Sequence, residues 1–255
     1  MKSNRIVPYF QAIIAAVLFG VSAPLIKLLL GEIEPVSLAA FLYLGSGFGL
    51  LILKGYQRLA RQSIKSEAEI KKTDLKWLLG AVFAGGIAAP IVLLFSLRET
   101  PAATASLLLS FEGVATAMIA AIIFKEAVNR KVFLAILLIT IASFLLSLNP
   151  SSQWGFSIGA LGILAACILW GLDNNFTRNI SAKDPTTIVT IKGLVAGSFS
   201  LILALVMGNP LPSIGIILGA MLLGSLSYGT SIVLFIHAMR GLGAGRTSAL
   251  FSTAP

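Results

Sequence analysis

A chain of 255 residues that is 57% hydrophobic and only 11% charged cannot clothe itself for water, because a soluble domain carries about 25% charged residues. Its formal charge of +9 would suit nucleic acid, but the cations lie between apolar runs and form no basic face with interleaved aromatics. One cysteine, Cys167, and one histidine, His237, exclude an intramolecular disulfide and a paired metal motif.

Apolar runs of roughly 17 to 25 residues follow one another along the chain, the length that crosses a hydrocarbon core about 30 Å thick. The first covers 9–30. Lys2 and Arg5 precede it, and Val21-Ser22-Ala23 faintly resembles a cleavage site, but the run is longer than a signal-peptide core and resumes after Pro24. A retained first helix is expected. The second run is 36–53, and a polar segment of mixed charge, 54–76, predicts a surface loop with some amphipathic helix. Runs at 77–97, 101–124 and 132–148 complete five helices, and runs at 157–177, 186–207 and 213–238 add three more. A ninth begins near Leu242 and stops at Pro255. The expected fold is an all-α polytopic membrane protein in a lipid bilayer. Tyr9, Trp77 and Trp154 fall near predicted boundaries and read as interfacial anchors. Tyr43, Trp170 and Tyr228 lie deeper, where they could contact a substrate.

The basic residues set a topology. If the N-terminus is cytoplasmic, sixteen of the 19 Lys and Arg residues fall in cytoplasmic segments, leaving Lys27 and Arg98 outside and Lys192 within a run. Such a bias predicts a cytoplasmic N-terminus. Arg98-Glu99 reads as an ordinary pair at the outer surface.

The two halves echo each other. Leu18-Phe19-Gly20 lines up with Leu169-Trp170-Gly171, Glu34-Pro35 with Asp184-Pro185, and Ala102-Ala103-Thr104-Ala105-Ser106 with Ala244-Gly245-Arg246-Thr247-Ser248. The matches keep their order. Five helices per repeat is an odd number, so the second copy enters the membrane from the opposite side. Inverted repeats are the build of secondary transporters, whose sites lie near the midplane between the halves.

Polar residues within the runs are the candidate site. Glu112 stands near the middle of the fourth helix, where an ionised carboxylate costs at least about 2.5–3.5 kcal/mol. It is either a proton-coupling or substrate-amine site, or a structural partner for another helix. Asp173, Asn174 and Asn175 form the most polar cluster in any run; neighbours on a helix face different sides, so all three are not expected to line one cavity. Their alternative role is hydrogen bonding between helices. Lys192 either snorkels to the cytoplasm or pairs with Asp173 or Glu112. His237 suits a proton relay by its titration range, or is an interfacial residue. Pro24 and Pro90 lie inside the first and third helices and are candidate hinges. Gly45/Gly49, Gly193/Gly197 and Gly215/Gly219 have the spacing of close helix contacts. No phosphate-binding G-x-x-x-x-G-K-[ST] run and no H-E-x-x-H motif is present, so neither a nucleotide nor a metal cofactor is expected.

Residues 107–126, Leu-Leu-Leu-Ser-Phe-Glu-Gly-Val-Ala-Thr-Ala-Met-Ile-Ala-Ala-Ile-Ile-Phe-Lys-Glu, resemble the fourth-helix signature of the EamA-type transporters of the drug/metabolite transporter superfamily. That family often has Pro where Glu112-Gly113 stands. Residues 242–255 resemble the start of the same element in its second repeat, and the pairs Phe19-Gly20 and Trp170-Gly171 fit as well. The resemblance implies ten helices in two inverted five-helix repeats. Here 1–150 would be the first repeat, with helices one to five. Residues 151–255 would be a partial second repeat ending inside its ninth helix, so the sequence is either a fragment or naturally truncated. The implied function is a secondary transporter, not an enzyme, moving a small metabolite such as an amino acid by alternating access across a bacterial or archaeal cytoplasmic membrane. A non-transporting subunit or lipid-handling component is the alternative. Both a monomer and a homodimer are compatible with the sequence.

Overall fold

The computed structural model describes residues 6–60, 67–125, 130–148 and 157–252. Trp154, Glu126, Pro255 and the cations Lys2, Arg5, Arg61 and Lys65 lie outside them. The described residues form nine helical rods: α1 (Val7–Leu29), α2 (Pro35–Leu59), α3 (Lys72–Glu99), α4 (Ala102–Ile122), α5 (Arg130–Ser147), α6 (Ile158–Ile180), α7 (Pro185–Val206), α8 (Ile214–Leu242) and α9 (Ala244–Phe251). By their described residues seven of them, α1–α4 and α6–α8, are long and apolar enough to cross a membrane. Ile52, Phe83, Ile122 and Val206 are exposed on the spanning helices, as lipid-facing residues would be.

Local chemistry starts the helices where the sequence changes character. Proline needs no amide partner in a first turn, so Pro35 and Pro185 open α2 and α7. Asp184 caps α7 by accepting a 3.0 Å hydrogen bond from the Thr186 amide. Gly243, at φ 80°, makes the turn from α8 into α9.

Four rods are interrupted near their middles. α1 breaks at Val21, before Pro24, and α4 breaks at Ser110, just before Glu112. α3 and α8 each contain a π-helical stretch, Val82–Ala88 and Ser225–Thr230. Pro90 is the second residue after the first of these, and Pro24 sits in the first turn after the α1 break.

The rods pack in exchanged pairs. α2 lies along α7 at the centre; α1 packs on α8, and α6 on α3; α4 packs on α6, and α9 on α1 and α4. Lipid tails are as apolar as leucine, so these contacts rest on close packing and interhelical hydrogen bonds. Two of the three glycine pairs serve this: side chains at Gly45 and Gly49 would strike α8, and at Gly193 and Gly197 would strike α2. Gly215 and Gly219 face open space, because that side of α8 meets no other helix among the described residues.

One end of the bundle gathers the basic segments. Lys54 meets Asp184 at 2.8 Å, Lys183 meets Asp74 at 3.2 Å, and Arg240 meets Glu67 at 3.0 Å. Each of these pairs joins residues before and after position 150. Arg240 also donates to the carbonyls of Ser181 and Lys183, and the Asp184 amide donates to Ala68 O at 3.1 Å. The segment 67–74 is thereby strapped to the α6–α7 corner. Pro8 lies beside Gly241, so the chain enters at this same basic end. At the opposite end Lys27 donates to the carbonyls of Leu97, Arg98 and Thr100. Arg98 pairs with Glu34 at 2.8 Å and not with its neighbour Glu99, since adjacent side chains on a helix point about 100° apart.

The strap should respond to acid. Burial raises the Asp184 carboxyl, but hydrogen bonds from Lys54, Thr187 and the Thr186 amide outweigh it and hold the group below the ordinary aspartate range. A depressed carboxyl contributes stability above its unfolded value and loses it as pH falls through the folded one. Asp184→Asn should therefore cost about 1 kcal/mol or less at neutral pH, as partly exposed pairs do, and should flatten the acid limb of the thermal stability curve. An unchanged acid limb in that variant would refute the assignment.

Candidate functional site

Pro90 creates a vacancy in the backbone of α3. In the π register the Ala89 amide bonds to Ala84 O, one residue further back than in an α-helix, and Pro90 has no amide to give. The Gly85 carbonyl is left without a backbone donor from its own helix. Two side chains from other helices fill the gap: Tyr43 of α2 donates to Gly85 O at 2.6 Å, and the Trp170 indole of α6 donates at 3.1 Å. Membrane helices tolerate such breaks when neighbours satisfy the freed groups. Pro90 thus fixes the position of two buried aromatic rings.

Gly85 serves the site a second time. A Cβ there would collide with the Asp173 carboxylate, so only glycine lets α6 bring that side chain so close to α3. Asp173 accepts from Thr177 Oγ1 at 3.1 Å and forms an ion pair with Lys192 of α7. Lys192 does not snorkel; its side chain is 9% exposed and that of Asp173 is 5% exposed, so the pair is held inside the bundle.

Glu112 of α4 is buried beside the next residue of α6, Asn174. Its Oε1 accepts from Asn174 Nδ2 at 2.9 Å, and the same amide donates to Thr116 Oγ1 at 3.0 Å. Asn175 faces elsewhere: it donates to Thr116 O and Gly171 O and fastens α6 to α4.

These groups border one cavity of about 520 Å³, its open mouth included. Glu112, Asp173, Asn174, Lys192, Trp170, Tyr43 and Tyr228 all line it. Asp173 and Asn174 share it because residues 170, 173, 174 and 177 form one helical stripe with i, i+3, i+4, i+7 spacing. The expectation that the two face different sides neglected how wide an arc a cavity covers; Asn175 is the member turned away. His237 is half-buried and does not line the cavity. Pro24 and Pro90 do not line it either; they lie at the breaks of α1 and α3.

The sequence reading missed several lining residues. Phe19 stands edge-on to Trp170 at 5.8 Å, and also meets Tyr228 at 5.5 Å and Phe251 at 5.0 Å. Ser46 and Thr177 lie one turn after Tyr43 and Asp173, and Phe235 lies two turns after Tyr228. Helical spacing from the residues already chosen would have found these three. Among the described residues no group of three His, Cys, Asp or Glu side chains could hold a metal ion.

Membrane-spanning helices that enclose charged and aromatic side chains around a shared cavity define a polytopic membrane protein of the transporter class. The sequence profile of the EamA-like transporter family matches residues 7–148 and 157–255. The chain belongs to this family, within the drug/metabolite transporter superfamily. It is similar to an uncharacterized transporter of Methanothermobacter thermautotrophicus, with 31% identity over 265 residues that cover 97% of this chain and 76% of the relative. A solved crystal structure shares the fold, with a TM-score of 0.68 and 17% identity over 96% of this chain and 85% of the other.

Proposed function

We propose that the protein is a secondary transporter that moves a small metabolite, an amino acid or a related compound, by alternating access. The membrane would be a bacterial or archaeal cytoplasmic membrane, with the basic end and the N-terminus facing the cytoplasm. The observation that carries this reading is the buried set of Glu112, Asp173 and Lys192 around one cavity, bordered by helices from both halves of the chain. Charges this deep are expensive in lipid and are retained where they serve a pathway. Both signs of charge beside aromatic rings suit a small zwitterion with an apolar side chain.

The exchanged helix pairs support an inverted arrangement of 1–150 against 151–255, with α2 and α7 at the centre. The mid-membrane breaks in α1, α3, α4 and α8 support movement around that centre. Glu112, Asp173, Asn174 and Lys192 are the polar contacts of the cargo; Tyr43, Trp170 and Tyr228 provide its apolar walls. The test is counterflow by the purified protein in liposomes, using a panel of labelled amino acids. Saturable, cargo-specific flux is expected. Absence of flux for every compound would favour a non-transporting subunit.

A further inference from the structure

A second cavity touches Glu112. It measures about 310 Å³ with its open mouth included and is lined by Gly20 and Ala23 of α1, Ser106 and Leu109 of α4, and Ser252, together with Phe19, Glu112 and Phe251. The last three also line the first cavity. The two cavities lie toward opposite ends of the bundle. α1 enters from the basic end, so Gly20 and Ala23 lie farther from it than Phe19; α4 runs toward that end, so Ser106 and Leu109 lie farther from it than Glu112. Thr177 near the end of α6, Val189 near the start of α7, and Phe235 in α8 put the first cavity on the basic side.

We propose that Glu112 is the proton-exchanging group of this transporter, reached from one side through each cavity, with the Phe19–Phe251 ring pair as the barrier that keeps the two sides apart. The rings stand 5.0 Å between centroids, and Phe235 braces Phe251 from the first cavity at 4.9 Å. The carboxyl gives its proton to water on one side, and the carboxylate takes one back from water on the other. No electron moves and no other reactant is needed.

The neighbours of Glu112 leave this role to it. Asp173 of α6 is tied to Lys192 of α7, so that pair is neutral together. Tyr43 of α2 is spent on Gly85 O, and the Cys167 thiol of α6 lies against the carbonyls of Leu108 and Leu109. Tyr228 of α8 stacks near Phe19 and Tyr43. Among the described residues α1, α5 and α9 turn no titratable side chain toward Glu112.

The inference rests on the transport reading, yet its test needs no cargo. Liposomes with a trapped pH-sensitive dye and potassium/valinomycin clamping receive an imposed pH step. Phe19→Ala or Phe251→Ala joins the cavities and should raise the protein-dependent proton leak about tenfold over the native chain, since a dry barrier is what stops such leakage. Phe19→Leu, which keeps most of the apolar volume, should fold if the alanine variants do not, and should leak to an intermediate degree. Adding Glu112→Gln to any of these should return the leak to the native level. Folded ring variants that leak no more than the native chain would overturn the proposal, as would a leak that survives Glu112→Gln. A Glu112-dependent leak without cargo flux would overturn the transport reading while leaving the barrier standing.

Discussion

Lys192→Met is expected to destabilise the protein by about 3–5 kcal/mol, the cost of leaving one member of a buried ion pair without its partner. The abandoned member is Asp173, whose remaining side-chain donor, Thr177, is too weak to replace an ammonium. Gly85 and the neighbouring backbone of α3 stand too close for the carboxylate to turn away. The readout is thermal unfolding of the detergent-solubilised protein. Adding Asp173→Asn to Lys192→Met removes both charges together and should recover most of the loss, because a neutral amide can keep the Thr177 contact. If the single variant melts like the native chain, the pair is open to water and is not the buried element described above. A single variant that stays folded should still lose cargo flux, since Lys192 and Asp173 both line the cavity.

Glu112→Gln is expected to abolish the pH dependence of transport without disturbing the fold. Glutamine keeps the size of the side chain and an oxygen that can still accept from Asn174, so packing against α6 persists. What it removes is the exchangeable proton. An ionised carboxylate at this depth costs at least about 2.5–3.5 kcal/mol, so loss of the proton must be coupled to arrival of water or a cation. The groups around it are Asn174, the Asp173–Lys192 pair, Tyr43, Tyr228 and Cys167, and none repeats its combination of position and free proton. The measurement is the initial rate of cargo flux against pH for native and variant protein. A native-like pH profile in the variant would remove Glu112 from coupling. The predicted flat profile differs from the general loss of rate that a merely structural residue would give.

Much of this was written in the chain. Bilayer thickness fixes the length of an apolar run, so the runs read from the sequence coincide closely with α1–α4 and α6–α8. Depth within a run follows from counting along it, which is why Glu112, Asp173 and Lys192 could be singled out as buried and expensive. Prolines declare a missing amide wherever they fall, so disturbances of α1 and α3 were legible as well. The basic segments that the chain distributes between alternate runs do meet at one end of the bundle, as the pairs of Lys54, Lys183 and Arg240 require.

Rotation and neighbourhood were not legible. In water, the apolar face of a helix tells which side is buried; in lipid both sides are apolar, and the side that packs is chosen by close fit and hydrogen bonds. The sequence therefore left Lys192 with three possible fates, and only the approach of α7 to α6 across Gly85 gave it Asp173. It placed Arg98 beside Glu99, and the fold gave it Glu34. It listed Tyr43 and Trp170 separately, and the vacant Gly85 carbonyl brought them together. The sequence alone determined that this is a membrane protein with charges inside its spanning runs, because hydration cost acts on each residue by itself. The tertiary structure alone decided which of those charges are paired and which rings stand beside the remaining one, because such neighbours lie far apart in the chain.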